Sequence, residues 1–140
     1  MQLRINIVTA AKTAVELVQD LFAAFGRGDV PYILERVTPD CEWVGHGEGL
    51  PYAGVFRGPA GVGQFFSNLV ANEQILTFEP REFFSEGNTV VVLGSESCNV
   101  IATGKPAQTN WSMVFRLRDG KVYYWESHFD TLAYYRAYQK

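Results

Sequence analysis

The stretch TNWSMVFRLRDGKVYYWESHFD, residues 109–130, decides how this chain folds. It holds two runs rich in aromatic and branched side chains, separated by Asp119 and Gly120, and an Asp-Gly pair in that setting is a strong signal for a β-hairpin. Residues 89–103 are a third strand candidate, and a turn after them connects this strand to the hairpin. A sheet of such strands needs one face covered, so the residues before position 75 are expected to cover it.

The composition indicates a single domain, residues 1–140, with a well-filled core. A chain of this length buries about two-thirds of its unfolded surface. Hydrophobic residues make up 47% of the chain and aromatic residues 14%, so aromatic side chains remain to line a cavity after the core is filled.

The charge pattern argues against two classes of partner. The formal net charge is −3 and Lys and Arg do not cluster, so neither nucleic acid nor an anionic membrane is expected to bind. No apolar run is long enough to span a membrane, and Lys12 and Glu16 interrupt the N-terminal segment that resembles a signal peptide. The predicted location is the cytoplasm, where Cys41 and Cys98 would be buried and reduced.

The pattern of apolar residues and helix caps predicts the order of the elements. A first helix is capped by Thr9 or Thr13 and ends at Gly26. Asp29 is expected to cap a short second helix, and Pro59 to start a third. Strands are predicted at residues 41–45, 55–56, 75–84, 89–103, 108–118 and 121–129. Residues 1–8 are expected to be extended and residues 131–138 to form a helical tail, which together give the α+β class.

Four segments carry a resemblance to a known family: AAFGRGDVPYILERVTPDCEW (23–43), PYAGVFRGPAGVGQFF (51–66), EGNTVVVLG (86–94) and FRLRDGKVYYW (115–125). Over nearly its whole length the chain resembles the NTF2-like superfamily, and within it the SnoaL-like polyketide cyclase and ketosteroid isomerase-related group. The resemblance implies a cone, in which a curved, mostly antiparallel sheet and three N-terminal helices enclose an apolar pocket. Its members include isomerases, dehydratases, cyclases, an epoxide hydrolase and non-catalytic binding modules, so the fold does not define the function.

Strand alternation, combined with the family pattern, indicates which side chains face the pocket. Glu96 is expected to face the pocket from the strand at residues 89–103, and Tyr123 from the strand at residues 121–129. The opposite face mixes polar and apolar side chains, which predicts a homodimer formed through the sheets, as the family often does. The residues expected to contact a ligand are Trp43, Tyr52, Phe56, Phe66, Trp111, Met113, Trp125 and Ser127.

The catalytic sets of two related enzyme groups are incomplete in this chain. The two acids of ketosteroid isomerases correspond to Gly45 and Met113. Limonene epoxide hydrolases use an Asp-Arg-Asp set, of which Glu96 matches one acid, while Gly94 and Ser127 stand at the other two positions. The resemblance therefore supports neither of these two reactions.

Glu96 and His46 are the candidates for catalysis. An apolar pocket disfavours the charged carboxylate, so the pKa of Glu96 would rise towards that of a general acid or base; the alternative is a solvated Glu96 paired with a residue such as Arg57. His46 lies in a glycine-rich loop and is either a general acid or substrate contact, or an exposed histidine. With two histidines and no paired ligand spacing, neither a metal nor a cofactor is predicted.

Two functions follow as hypotheses. In the first, the protein binds a small, largely apolar molecule that can carry a carbonyl group, and performs cofactor-free acid–base chemistry of the isomerase, cyclase, dehydratase or hydrolase type. In the second, it is a ligand-binding or dimeric association module without turnover. A raised pKa at Glu96 together with a closed pocket favours the first function, and a filled cavity favours the second.

Overall fold

The computed structural model of the chain describes residues 12–140. The predictions for residues 1–8 and for Thr9 as a cap therefore lie outside the described residues. The elements in chain order are α1 (Ala14–Gly26), α2 (Val30–Leu34), β1 (Val37–Gly45), β2 (Gly54–Arg57), α3 (Gly58–Asn72), β3 (Glu73–Glu86), β4 (Thr89–Val100), β5 (Pro106–Arg118), β6 (Lys121–His128) and α4 (Thr131–Tyr138).

The strands form one sheet in the order β2-β1-β6-β5-β4-β3. All neighbours are antiparallel except β1 and β6, which run parallel. The predicted meander is therefore present, and its last strand lies beside β1. Register shifts in the β1–β6, β3–β4 and β5–β6 pairs mark bulges, which bend the strands around the helices.

The described residues form four helices, the three predicted N-terminal ones and the predicted helical tail. Three helices precede β3, as expected, and α4 is a fourth at the C-terminal end of the described residues. The capping box predicted for Thr13 and Glu16 is present at α1, and the Asp29 side chain caps α2. Asp130 caps α4 by accepting a hydrogen bond from the backbone of Ala133 at 3.0 Å, which is why the tail begins a new helix there.

The β5–β6 hairpin turns at the predicted Asp-Gly pair. Both residues have positive φ angles, 51° for Asp119 and 77° for Gly120, as a two-residue turn of type I′ requires. Tyr123 was predicted to face the pocket, and this prediction is wrong because the strand register shifts beside the turn. The bulge places Val122 in the core, fully buried, and leaves Tyr123 outside it under the guanidinium of Arg118.

The structure also tests the predicted start of the first strand and the predicted state of the two cysteines. β1 begins at Val37, four positions before the predicted start, because the turn signal of Thr38 and Pro39 lies inside an irregular strand rather than ahead of a regular one. Cys41 and Cys98 are both buried and free, as predicted. None of the described helices combines the length and the apolar character that a membrane crossing needs.

Candidate functional site

A cavity lies between the inner face of the sheet and the helices α1, α2 and α3. Its volume is about 90 Å³. Most of its wall is aromatic or aliphatic, contributed by residues such as Phe25, Phe66 and Trp125. The polar side chains in the wall are His46, Tyr52, Glu73, Glu96 and Ser127. Small-molecule sites usually have such a composition, with a few polar groups in a mostly apolar wall.

Most of the predicted site residues lie in this wall. They are Trp43, His46, Tyr52, Phe66, Glu96, Met113, Trp125 and Ser127. Trp43 and Trp125 are partners in the parallel β1–β6 register, so their indoles stack with ring centroids 4.4 Å apart.

Phe56 and Trp111 are not among the lining residues, which corrects the prediction for both. Phe56 packs edge-on against Phe65, with centroids 5.5 Å apart, and Phe65 forms the wall in its place. The indole of Trp111 stacks against the rings of Phe22 and Phe78, which also contact each other, and lies over Gly94. Strand alternation predicted the correct face of the sheet for Trp111. It did not predict that other aromatic rings would separate Trp111 from the cavity.

Glu96 lies in the cavity wall and is partly buried. Its Oε1 accepts a hydrogen bond from the hydroxyl of Tyr134 on α4 at 3.0 Å. Burial raises the pKa of Glu96 to about 7, and the charge of the nearby Glu73 adds to the rise, against the opposing effect of the Tyr134 hydrogen bond. The direction agrees with the prediction, and a carboxyl with such a pKa can both donate and accept a proton at neutral pH.

Glu73 is a second carboxylate in the wall, and sequence reasoning missed it. It is the first residue of β3, is 5% exposed, and its Oε2 accepts a hydrogen bond from the Tyr138 hydroxyl at 2.7 Å. It follows the polar end of α3, a position where a glutamate is normally solvated. No local pattern distinguishes it, because its partner lies 65 residues away in the chain.

The C-terminal helix supplies both hydroxyls that meet these carboxylates. Its start is fixed by Thr109, whose Oγ1 accepts a hydrogen bond from the backbone N–H of Asp130 at 2.9 Å. Its end is held by Thr103, whose hydroxyl donates to the carbonyl oxygen of Ala137 at 2.6 Å. These contacts place Tyr134, which is fully buried, against Glu96.

Three phenols surround the two carboxylates. Burial is the largest cause of a raised pKa at Tyr52, Tyr134 and Tyr138. The charge of Glu73 raises the pKa of all three further, and that of Glu96 raises the pKa of Tyr52 and Tyr134. The phenols therefore stay neutral and can donate hydrogen bonds. We refer to Glu73, Glu96, Tyr52, Tyr134 and Tyr138 as the carboxylate–phenol cluster.

The wall also contains an unpaired donor. The indole nitrogen of Trp43 is buried and has no hydrogen-bond partner within residues 12–140. A buried donor without a partner costs about 1–3 kcal/mol.

His46 immediately follows β1, where the wall meets solvent, and its side chain is 43% exposed. It lies in a loop, as predicted, where it was expected to be either a general acid or substrate contact or an exposed histidine. In the structure its Nε2 lies 2.7 Å from Oε2 of Glu126, and this contact lowers the pKa of Glu126. Nε2 of His128 lies 3.4 Å from the other carboxylate oxygen.

Comparisons with known proteins agree with this fold. Residues 18–125 match the family model described as a SnoaL-like domain. An NTF2-like protein from Burkholderia xenovorans is 34% identical, with 90% of this chain and 95% of that one covered and a TM-score of 0.83. An NTF2-like protein from Burkholderia thailandensis is 29% identical, with 93% and 100% covered and a TM-score of 0.85.

A third similar structure has a ligand in its description. TerC, which was co-crystallised with polyporic acid, is 30% identical over 89% of this chain and 96% of its own, with a TM-score of 0.75. Among curated proteins, none matches the sequence.

Proposed function

This chain belongs to the SnoaL-like family within the NTF2-like superfamily, and we propose that it binds a small, largely apolar, carbonyl-bearing molecule and transfers protons to or from it. The observation that carries the proposal is Glu96, whose pKa is raised to about 7 in the wall of an apolar cavity. The chemistry would need no cofactor and would be of the isomerase, cyclase, dehydratase or hydrolase type.

The cavity wall favours a flat, apolar ligand with at least one acceptor. The stacked Trp43 and Trp125 provide a broad apolar surface. The neutral hydroxyl of Tyr52, a residue of the wall, is a donor that a carbonyl oxygen can accept from. Such donors are also the groups that stabilise the oxyanion formed when a proton leaves the carbon beside a carbonyl.

The two carboxyl groups of the cavity wall, Glu73 and Glu96, would have different roles in proton transfer. The charge of Glu73 disfavours a second negative charge on Glu96, which helps to keep Glu96 protonated near neutral pH. The hydroxyl of Tyr134 engages Oε1 of Glu96, which leaves Oε2 for proton transfer. Glu96 is therefore the proposed acid–base residue, and Tyr134 is the residue that positions it.

A binding experiment tests the ligand class. We expect polyporic acid, or a compound from a panel of flat aromatic carbonyl compounds, to bind saturably with quenching of tryptophan fluorescence. Leu69 lies in the wall and Leu76 is exposed on β3, so Leu69→Trp should weaken binding about tenfold or more, about 1.4 kcal/mol, while Leu76→Trp should not. Equal affinity of the wild type and Leu69→Trp, or no binding by any compound, would contradict the proposal.

A homodimer through the outer face of the sheet is a second proposal, supported by exposed apolar side chains there. Phe84 and Leu93 are 54% and 37% exposed, and the strand register places them on the same face as Val91 and Val114. Sedimentation at micromolar concentrations should show a dimer for the wild type and a monomer for Leu93→Asp. Val70→Asp, at an exposed position on α3, should stay dimeric; a monomeric wild type would refute this interface.

A further inference from the structure

We propose that His46, Glu126 and His128 form a binding site for a divalent transition-metal ion, with Zn²⁺ as the best fit. We call these three residues the His-Glu-His site. One ligand atom from each residue can be chosen so that all three lie within 4.8 Å of one another. The chain has two histidines, and both meet the same carboxylate.

The fold assembles this site from parts that are far apart in the sequence. His46 follows β1, and β6 carries Glu126 and His128. The parallel register places Val44 opposite Glu126, so His46 emerges beside the carboxylate. Residues 126 and 128 of one strand point to the same face of the sheet. The two imidazoles thus converge on Glu126 with ring centroids 4.9 Å apart.

The distances fit the edges of a coordination sphere. Bonds of about 2.0–2.2 Å to nitrogen and oxygen ligands imply roughly 3.0–3.4 Å between neighbouring ligand atoms at tetrahedral to octahedral angles. The Nε2 atoms of His46 and His128 lie 2.7 and 3.4 Å from the two oxygens of Glu126. With one ligand atom from each residue the separations are within 4.8 Å, so side-chain rotations that shorten the longest of them would place all three ligands around one ion.

The donor set and the exposure determine which ion the site suits. Imidazole favours Zn²⁺ and its transition-metal neighbours over Mg²⁺ or Ca²⁺, and two histidines with one glutamate are the ligands of several zinc enzymes. The side chains of His46, Glu126 and His128 are 43%, 23% and 52% exposed, so an ion can enter from solvent.

Three protein ligands leave at least one coordination position open. Glu126 and His128 are the register partners of Val114 and Ser112, so the ion would be held on the outer face of the sheet, with its open position available to water or to another polar group. This inference does not depend on the proposed chemistry of Glu96, which lies on a different strand.

The test is titration of untagged, chelator-treated protein with Zn²⁺ at pH 7.5, where free imidazoles are mostly neutral. We expect one Zn²⁺ per chain. Co²⁺ should give visible absorption bands that an equimolar amount of Zn²⁺ removes. His46→Gln, His128→Gln and Glu126→Gln should each weaken Zn²⁺ binding by more than about 10–100-fold, the loss typical of changing even an outer-shell partner.

The control is Glu42→Gln. Glu42 is another carboxylate of β1, opposite Tyr124 in the register and outside the His-Glu-His site, so its substitution should leave the affinity for Zn²⁺ unchanged. Circular dichroism should show that every variant is folded. Unsaturable Zn²⁺ binding, or equal affinity in folded His128→Gln and wild type, would overturn the proposal.

Discussion

Replacement of Gly94 by alanine should destabilise the protein by at least about 3 kcal/mol, near the upper end of the usual cost of overpacking a core. A Cβ atom at Gly94 would lie 2.6 Å from Cη2 of Trp111 and 2.5 Å from the carbonyl oxygen of Glu79. The oxygen belongs to the backbone of the paired strand β3, and the indole is packed against Phe22 and Phe78. Neither neighbour can move without disturbing the sheet or the core.

Urea unfolding at a fixed protein concentration measures this effect. Gly26→Ala is the matched control, because an added Cβ at Gly26 meets nothing within 4 Å and Gly26 has no positive φ angle. Its unfolding free energy should stay within about 0.5 kcal/mol of the wild type. A Gly94→Ala variant as stable as Gly26→Ala would show that Trp111 does not occupy the space over β4.

The packing at Gly94 also explains a difference from the epoxide hydrolases that the resemblance indicated. Their arginine corresponds to Gly94, and the space in front of Gly94 is taken by Trp111. A long cationic side chain at this position would displace the indole from its contacts with Phe22 and Phe78. No cation is therefore supplied to Glu96 from this position, which is consistent with a pKa that is raised rather than lowered.

Local sequence signals predicted the elements well because their physical causes are local. The Asp119–Gly120 turn, the Thr13–Glu16 capping box and the Asp29 cap each depend on residues within a few positions of one another. Strand alternation also placed Glu96 and Trp125 on the inner face. It failed at Tyr123, because a bulge changes the parity of a strand and carries no clear sequence signature.

The polar contacts of the site could not be predicted in the same way. Glu73 meets Tyr138 across 65 positions, Glu96 meets Tyr134 across 38, and His46 meets Glu126 across 80. Each contact depends on which strands are neighbours and how α4 folds back over the sheet. The absence of paired ligand spacing around the two histidines argued against a metal, yet the parallel β1–β6 pairing brings them together.

Replacement of Glu96 by glutamine should leave the protein equally stable or more stable at pH 7 and should abolish proton transfer. The pKa of Glu96 is about 7 in the folded protein, against about 4.3 for an unperturbed glutamate. A carboxyl whose pKa is raised by folding makes the protein progressively less stable as the pH rises from the unfolded value to the folded one. Glutamine cannot ionise, yet its side-chain oxygen can still accept the Tyr134 hydrogen bond.

The pH dependence distinguishes this account from a structural ion pair. Below about pH 4 the Glu96 carboxyl is protonated in both the folded and the unfolded state, so it adds no pH-dependent difference between wild type and Glu96→Gln. As the pH rises to 7, the wild type should lose stability relative to the variant, by on the order of 2–3 kcal/mol at most for a partly buried group. Glu82→Gln, at an exposed position on β3, should show no such trend.

Binding and turnover should separate in the same variant. Because Glu96→Gln keeps the shape of the cavity and the hydrogen bond from Tyr134, its affinity for the ligand panel should stay within a few-fold of the wild type, whereas deuterium exchange from solvent into a bound carbonyl compound should cease. A Glu96→Gln protein that is clearly less stable than the wild type at pH 7 would mean that the carboxylate is ionised and paired, and that its role is structural rather than catalytic.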